Sequence, residues 1–228
     1  MKKVLKVLLI IVILLAIAAG IAAVWQWKNI ESIVIGVKEE TVEIEKRRNE
    51  NQTKLVDDVI TYMDEPVREM TEEEKKQVEE GEVTLPDIYE KIFEEKKENL
   101  EKNTQNAPVD NSATKDEIIS RYMAELYRLQ NEFTSRAEAT IKQGAYYYES
   151  IKAHPQDPVA RSKTIAHFTS TVRGMESECD ANVEKLISNL KTELEKIGED
   201  TSIIESIRAT YSNEKQLKLS YYANKYLK

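Results

Sequence analysis

Residues 7–25 read VLLIIVILLAIAAGIAAVW, an unbroken apolar run without a charged side chain. As a helix rising about 1.5 Å per residue the run measures roughly 28 Å, close to the roughly 30 Å of a bilayer's hydrocarbon core. A helix satisfies its own backbone donors and acceptors, which lipid does not. Lys2, Lys3 and Lys6 precede the run, and Trp25 and Trp27, the only tryptophans, stand where it meets water. This pattern predicts a cytoplasmic tail at 1–6 and a transmembrane signal-anchor over 7–27, with an aromatic belt and the remainder outside the membrane. Small residues at Ala16-Ile17-Ala18 and Gly20-Ile21-Ala22 also suit a signal peptidase, so cleavage and release is the alternative. Either way the rest of the chain is exported.

From Ile30 the pattern changes. Ile30, Val34, Val37, Thr41 and Ile44 follow a short coiled-coil seam, interrupted by Arg48 and Asn51 before Leu55, Val59 and Tyr62 resume it. The interruptions are expected to weaken the packing, and Ile33 to Val37 also reads as a strand. Pro66 breaks the helix. Thr71-Glu72-Glu73-Glu74 is a capping box, Gly81 ends that segment, and Thr84-Leu85-Pro86-Asp87 opens another with a stripe of Ile88, Tyr89, Ile92 and Phe93. Residues 103–114, NTQNAPVDNSAT, have turn residues and no periodicity, the signature of a linker.

Residues 115–228 carry the clearest periodicity. Thr114 and Glu117 form a capping box before Ile119, Tyr122, Leu126, Leu129, Phe133, Ala137, Ile141, Ala145 and Tyr148. After the turn at His154-Pro155-Gln156-Asp157-Pro158 the stripe resumes through Ile165, Phe168, Val172, Met175, Cys179, Val183, Leu186, Leu190, Leu194 and Ile197. Gly198 terminates it, and Ser202 starts a third helix with Ile204, Ile207, Tyr211 and Leu217. Two long stripes joined by a short turn fold back antiparallel, with the third helix in their groove. The predicted fold is all-α: a transmembrane helix, an acidic helical stalk over 28–102, the linker, and an elongated antiparallel three-helix bundle over 115–228.

Composition agrees with long solvated helices: six glycines, five prolines and 32% charged residues. Residues 38–102 hold 22 acidic and 12 basic side chains, whereas residues 115–228 hold 17 of each. Without a basic footprint, nucleic-acid binding is not expected. The single cysteine, Cys179, rules out an intramolecular disulfide framework.

Chemistry-bearing motifs are weak. Ser112/Lys115, Ser188/Lys191 and Ser212/Lys215 match a serine-nucleophile spacing that lysine-rich chains produce by chance, and its companion motifs are missing. His154 reads as a helix C-terminal residue and His167 as structural, and neither has a ligand partner at metal spacing. No phosphate-cradling glycine motif occurs. The chain therefore reads as a non-enzyme without cofactor, metal or small-molecule substrate. Nine of the eleven tyrosines follow residue 120. Three consecutive helical positions cannot share one face, so some of Tyr146, Tyr147 and Tyr148 lie at a groove or surface. Tyr146, Tyr147, Tyr221, Tyr222 and Tyr226 are the candidate partner contacts, tyrosine being suited to interfaces.

The runs Glu178-Cys179-Asp180-Ala181-Asn182-Val183 and Gly198 to Ile204, then Tyr211 to Lys215 and Tyr221-Tyr222, resemble the tail of uncharacterised exported or membrane-anchored helical proteins of Gram-positive bacteria. The resemblance covers about the last 110 residues and implies an envelope setting, with no activity or functional residues attached. The expected role is a membrane-anchored, extracytoplasmic structural or interaction module that binds a protein partner or self-associates. A secreted binding protein and a cell-wall-associated enzyme or regulator are the alternatives.

Overall fold

The computed structural model describes residues 40–104, 113–154 and 157–227. The 7–27 segment with its flanking lysines and tryptophans, the alternative strand at 33–37 and most of the linker lie outside them. Among the described residues no helix is long and apolar enough to cross a membrane.

All regular structure among the described residues is helical. The helices are α1 (Thr41–Tyr62), α2 (Glu72–Glu79), α3 (Leu85–Thr104), α4 (Lys115–Ile151), α5 (Pro158–Lys196) and α6 (Ile203–Leu227). Their ends follow local chemistry. Thr71 and Glu74, like Thr114 and Glu117, form complete capping boxes, so orphan N–H groups at those termini are met by side chains. Gly81 and Gly198, at φ 72° and 77°, end α2 and α5 in the left-handed region that a glycine enters without steric cost. Asp157 caps α5 through Val159 and Ala160 and also accepts from the Ala153 N–H, closing the α4–α5 turn on one carboxylate. His154 lies in this turn, past the helix end at which it was expected.

The described residues pack as two compact units, one within Val56–Ile207 and one joining those up to Leu55 with those from Arg208 on. In the first, α4 has α3 and α5 as neighbours. Tyr89 and Phe93 of α3 meet Tyr127, with ring centroids 5.5 and 6.1 Å apart, and Asn131 donates to Glu90 at 2.7 Å. Across α4 and α5, Arg121 pairs with Glu193, Arg136 with Glu178, and Tyr147 with His167. One partner's number falls as the other's rises, so these helices are antiparallel as expected. Ile118, Ile119, Met123, Ala124, Leu126, Tyr127, Leu129 and Phe133 are all buried, which takes up more than one face of α4.

One expectation is corrected. The other neighbour of α4, besides α5, is α3, from the supposed stalk; α6 adds only its first turn to this unit, through Ile203, Ile204 and Ile207. The reason is the stripe of Ile88, Tyr89, Ile92 and Phe93, each 5% exposed or less, which needs cover that a free stalk lacks. The polar interruption of the α1 seam, in turn, is a set of specific contacts in the second unit. Arg48 Nε donates to Glu214 Oε1 at 2.9 Å and Asn51 Nδ2 to the Thr210 carbonyl at 3.1 Å, with Ile44, Leu55 and Leu217 buried in the same unit.

Candidate interaction surface

Beyond Phe133 the cover on α4 ends. Among the described side chains of residues 134–151 only Thr140 is buried, and among those of α5 before Val183 only Ala160 is. Among the described residues, 134–154 and 157–180 therefore form a two-helix hairpin without further cover. Its apolar stripe continues past the core: Ala137, Ile141, Tyr148, Phe168, Met175 and Cys179 are half-buried, and Val172 is 49% exposed.

A short series of contacts holds the hairpin. Arg136 forms a bidentate pair with Glu178 at 3.0 and 2.7 Å while its guanidinium lies 4.8 Å from the Phe133 ring centre. The Thr140 hydroxyl donates to Met175 Sδ at 3.5 Å. Tyr147 stacks on His167 at 4.7 Å and 9°, and Phe168 presents an edge to both rings. At the end of α4 itself, Lys152 sits over the Tyr148 ring and pairs with Glu149 at 2.6 Å.

The structure sorts the candidate tyrosines. Tyr146 is 77% exposed and Tyr147 is half-buried against His167. Tyr221 and Tyr222 belong to the other compact unit, half-buried, with rings 5.4 Å apart and the Arg48 guanidinium 5.9 Å from the Tyr221 ring. Tyr226 is helical in α6. Lys2, Lys3, Lys6, Trp25 and Trp27 lie outside the described residues.

The second unit also holds an open groove of about 370 Å³, lined by Arg47, Glu50, Asn51, Lys54, Gln216 and Leu217 among others. Its lining is largely amide and charged, and supplies no paired nucleophile and base. Next to it, Gln52 is buried with no hydrogen-bond partner on its carbonyl oxygen among the described residues.

Two polar clusters that sequence reasoning missed bind loops to the larger unit. Asp116, buried at the start of α4, accepts from the backbone N–H groups of Asp64 and Glu65 at 2.9 and 2.8 Å. Beside it Lys115 Nζ lies 2.5 Å from Asp64 and over the Tyr62 ring, while the Tyr62 hydroxyl donates to the Asp200 carbonyl. Burial and the nearby carboxylates push the Tyr62 phenol up to about 12. Burial, with a hydrogen bond to Glu193, raises Tyr122 equally. The second cluster centres on Glu74, which accepts from Arg68 at 2.7 and 2.9 Å, from Lys91 at 2.8 Å and from the Thr71 N–H at 3.0 Å. Arg68 also grips Glu95. The Arg68 hydrogen bonds hold the Glu74 carboxyl far below the usual range. The only advance sign of this cluster was the capping box at Thr71.

Ser112 is outside the described residues, Lys115 is engaged as above, and Lys191 lies 3.8 Å from Glu195. Among the described residues no group of three or more His, Cys, Asp or Glu side chains is placed to hold a metal ion. Compared with known protein families, with curated proteins and with solved structures, the chain matches none.

Proposed function

We propose that this chain is a single-pass, membrane-anchored protein of the cell envelope, with its N-terminus cytoplasmic and its helical part outside. There it acts as a non-enzymatic structural or protein-interaction module. The observation that carries the reading is the uncharged run at 7–25 between Lys2, Lys3 and Lys6 on one side and Trp25 and Trp27 on the other. The resemblance of the C-terminal region to exported Gram-positive proteins favours the same setting. The interaction role is supported by the bare α4–α5 hairpin with exposed Tyr146 and by the second tyrosine group at Tyr221 and Tyr222. Extended helix pairs offer long side-chain surfaces and few of the concave pockets small ligands require.

One specific feature favours release over anchorage: the small residues at 16–18 and 20–22. Intact mass of the mature protein separates the two. Full-length mass supports the anchor, whereas loss of roughly 18–22 residues identifies a secreted module. Crosslinking in intact cells tests the interaction role: covalent adducts through the hairpin or the α6 tyrosines are expected, and their absence under saturating crosslinker removes it.

A further inference from the structure

Where the bundle core ends, the hairpin keeps its apolar stripe but loses its cover. It is also divided in charge. Residues 142–173, the tip, carry five basic and two acidic side chains; the root, residues 134–141 and 174–180, carries one basic and four acidic. The tip is thus net +3 and the root net −3. The exposed cations at the tip include Lys142, Lys163 and Arg173. The root is extended by more acid. Glu90 accepts from Asn131 and, further along α3, Lys97 acts on the Glu125 carboxylate, so α3 runs antiparallel to α4 and its start, with Glu79, Glu80, Glu82 and Asp87 before or within its first turn, runs toward the root.

From this juxtaposition we infer that the hairpin docks on a second copy of the same chain, antiparallel and related by a two-fold axis, to form a four-helix bundle. This deepens the interaction role proposed above and rests on it. The charge division selects the occupant and its direction: with two hairpins antiparallel, each +3 tip lies along the other's −3 root, and both contacts are made twice. A parallel pairing sets tip on tip and root on root. A two-fold interface needs one self-complementary patch, which a surface divided this way supplies. Each arm of the hairpin is about 27 Å long over residues 134–151 at helical rise, so full overlap is possible. The stripe of Ala137, Ile141, Tyr148, Phe168 and Val172 then gains the cover it lacks. Val172 stands opposite the middle of that arm, since Met175 meets Thr140 and His167 meets Tyr147. It therefore falls near the axis, while Lys163 falls at the two far ends.

The full chain, kept in its membrane with Cys179→Ser, is tested with one new cysteine at a time. Val172→Cys is expected to form a disulfide-linked dimer under mild oxidation, and Lys163→Cys, about 27 Å from its mate at helical rise, to remain monomeric on denaturing gels. Both positions are exposed, so neither change threatens the fold. Lys152→Glu with Lys163→Glu is expected to weaken the non-oxidised dimer several-fold by light scattering in detergent. Adding Glu138→Lys and Glu176→Lys restores it. Equal linking at both positions, or no linking at Val172 with a monomeric mass, overturns the inference. Crosslinks in cells to other proteins alone, without the Val172 dimer, overturn it while leaving the interaction role standing.

Discussion

At Glu74 one carboxylate receives Arg68, Lys91 and the Thr71 N–H while only 4% exposed. Such a group contributes stability in a definite pH window. Its folded pKa lies below its unfolded value of about 4.3, so the contribution is complete above that value. It declines as pH falls below it and vanishes once pH passes the depressed folded value. Glu74→Gln should cost on the order of 2 kcal/mol at neutral pH, the range for charge-assisted hydrogen bonds. It should also flatten the acid limb of a thermal-melt-versus-pH profile; an unchanged limb would show that another carboxylate governs acid unfolding. Asp116 is the second residue whose loss should be felt. Asp116→Ala strips two backbone donors at 64 and 65 of their acceptor, at roughly 1–3 kcal/mol. Accelerated hydrogen exchange at those amides is the direct readout. The sequence marks Glu74 only as a capping-box residue and gives no sign of the burial of either acid, because a buried acid and a solvated one look alike in a chain this rich in charge.

The helices divide into those with cover and those without. Amides of α4 from 136 to 151 should exchange faster than those from 118 to 133, since few side chains are buried around the former. Equal protection along α4 in dilute protein would contradict the bare hairpin. The glycines make a matched test of element ends against element interiors. A Cβ at Gly144 would meet Phe168 and Thr164 at 3.9 Å, ordinary contact, and one at Gly174 meets nothing within 4 Å. Gly144→Ala and Gly174→Ala should each stabilise by about 0.5–1 kcal/mol through helix propensity. At Gly81 and Gly198 the positive φ reverses the sign, and alanine should cost about 1 kcal/mol or more. Four melting curves decide. These ends were readable in advance because caps and breakers act over three or four residues: Thr71 with Glu74, Thr114 with Glu117, Gly81, Gly198. Which helix covers which was not. The Ile88 to Phe93 stripe shows that a cover exists but names no partner, and assigning it to a stalk was an argument from acidity alone. Tyr146 could be suspected, since three adjacent tyrosines cannot share a face. The stacking of Tyr147 on His167 depends on the register of α4 against α5, which periodicity leaves open.

On the scale of the whole molecule, the two compact units cut across the composition of the chain. The acidic region contributes to both, and so does α6. The smaller unit joins described residues up to Leu55 with described residues from Arg208 onward, whereas those of the larger all fall between Val56 and Ile207. Arg48 and Glu214, the pair that marks the smaller unit, are 166 residues apart in sequence. During synthesis at about 5–20 residues per second that separation is roughly 8–33 seconds of waiting. Residues 56–207 have all their partners in the chain before the last twenty-one residues are made. The face of α1 bearing Ile44, Arg48 and Asn51 does not. For that interval a half-apolar helix stands without its mate, and truncation directly after Ile207 would make the wait permanent. A chain ending there is expected to keep a folded larger unit yet become protease-sensitive within α1, which limited proteolysis of the truncated protein would reveal.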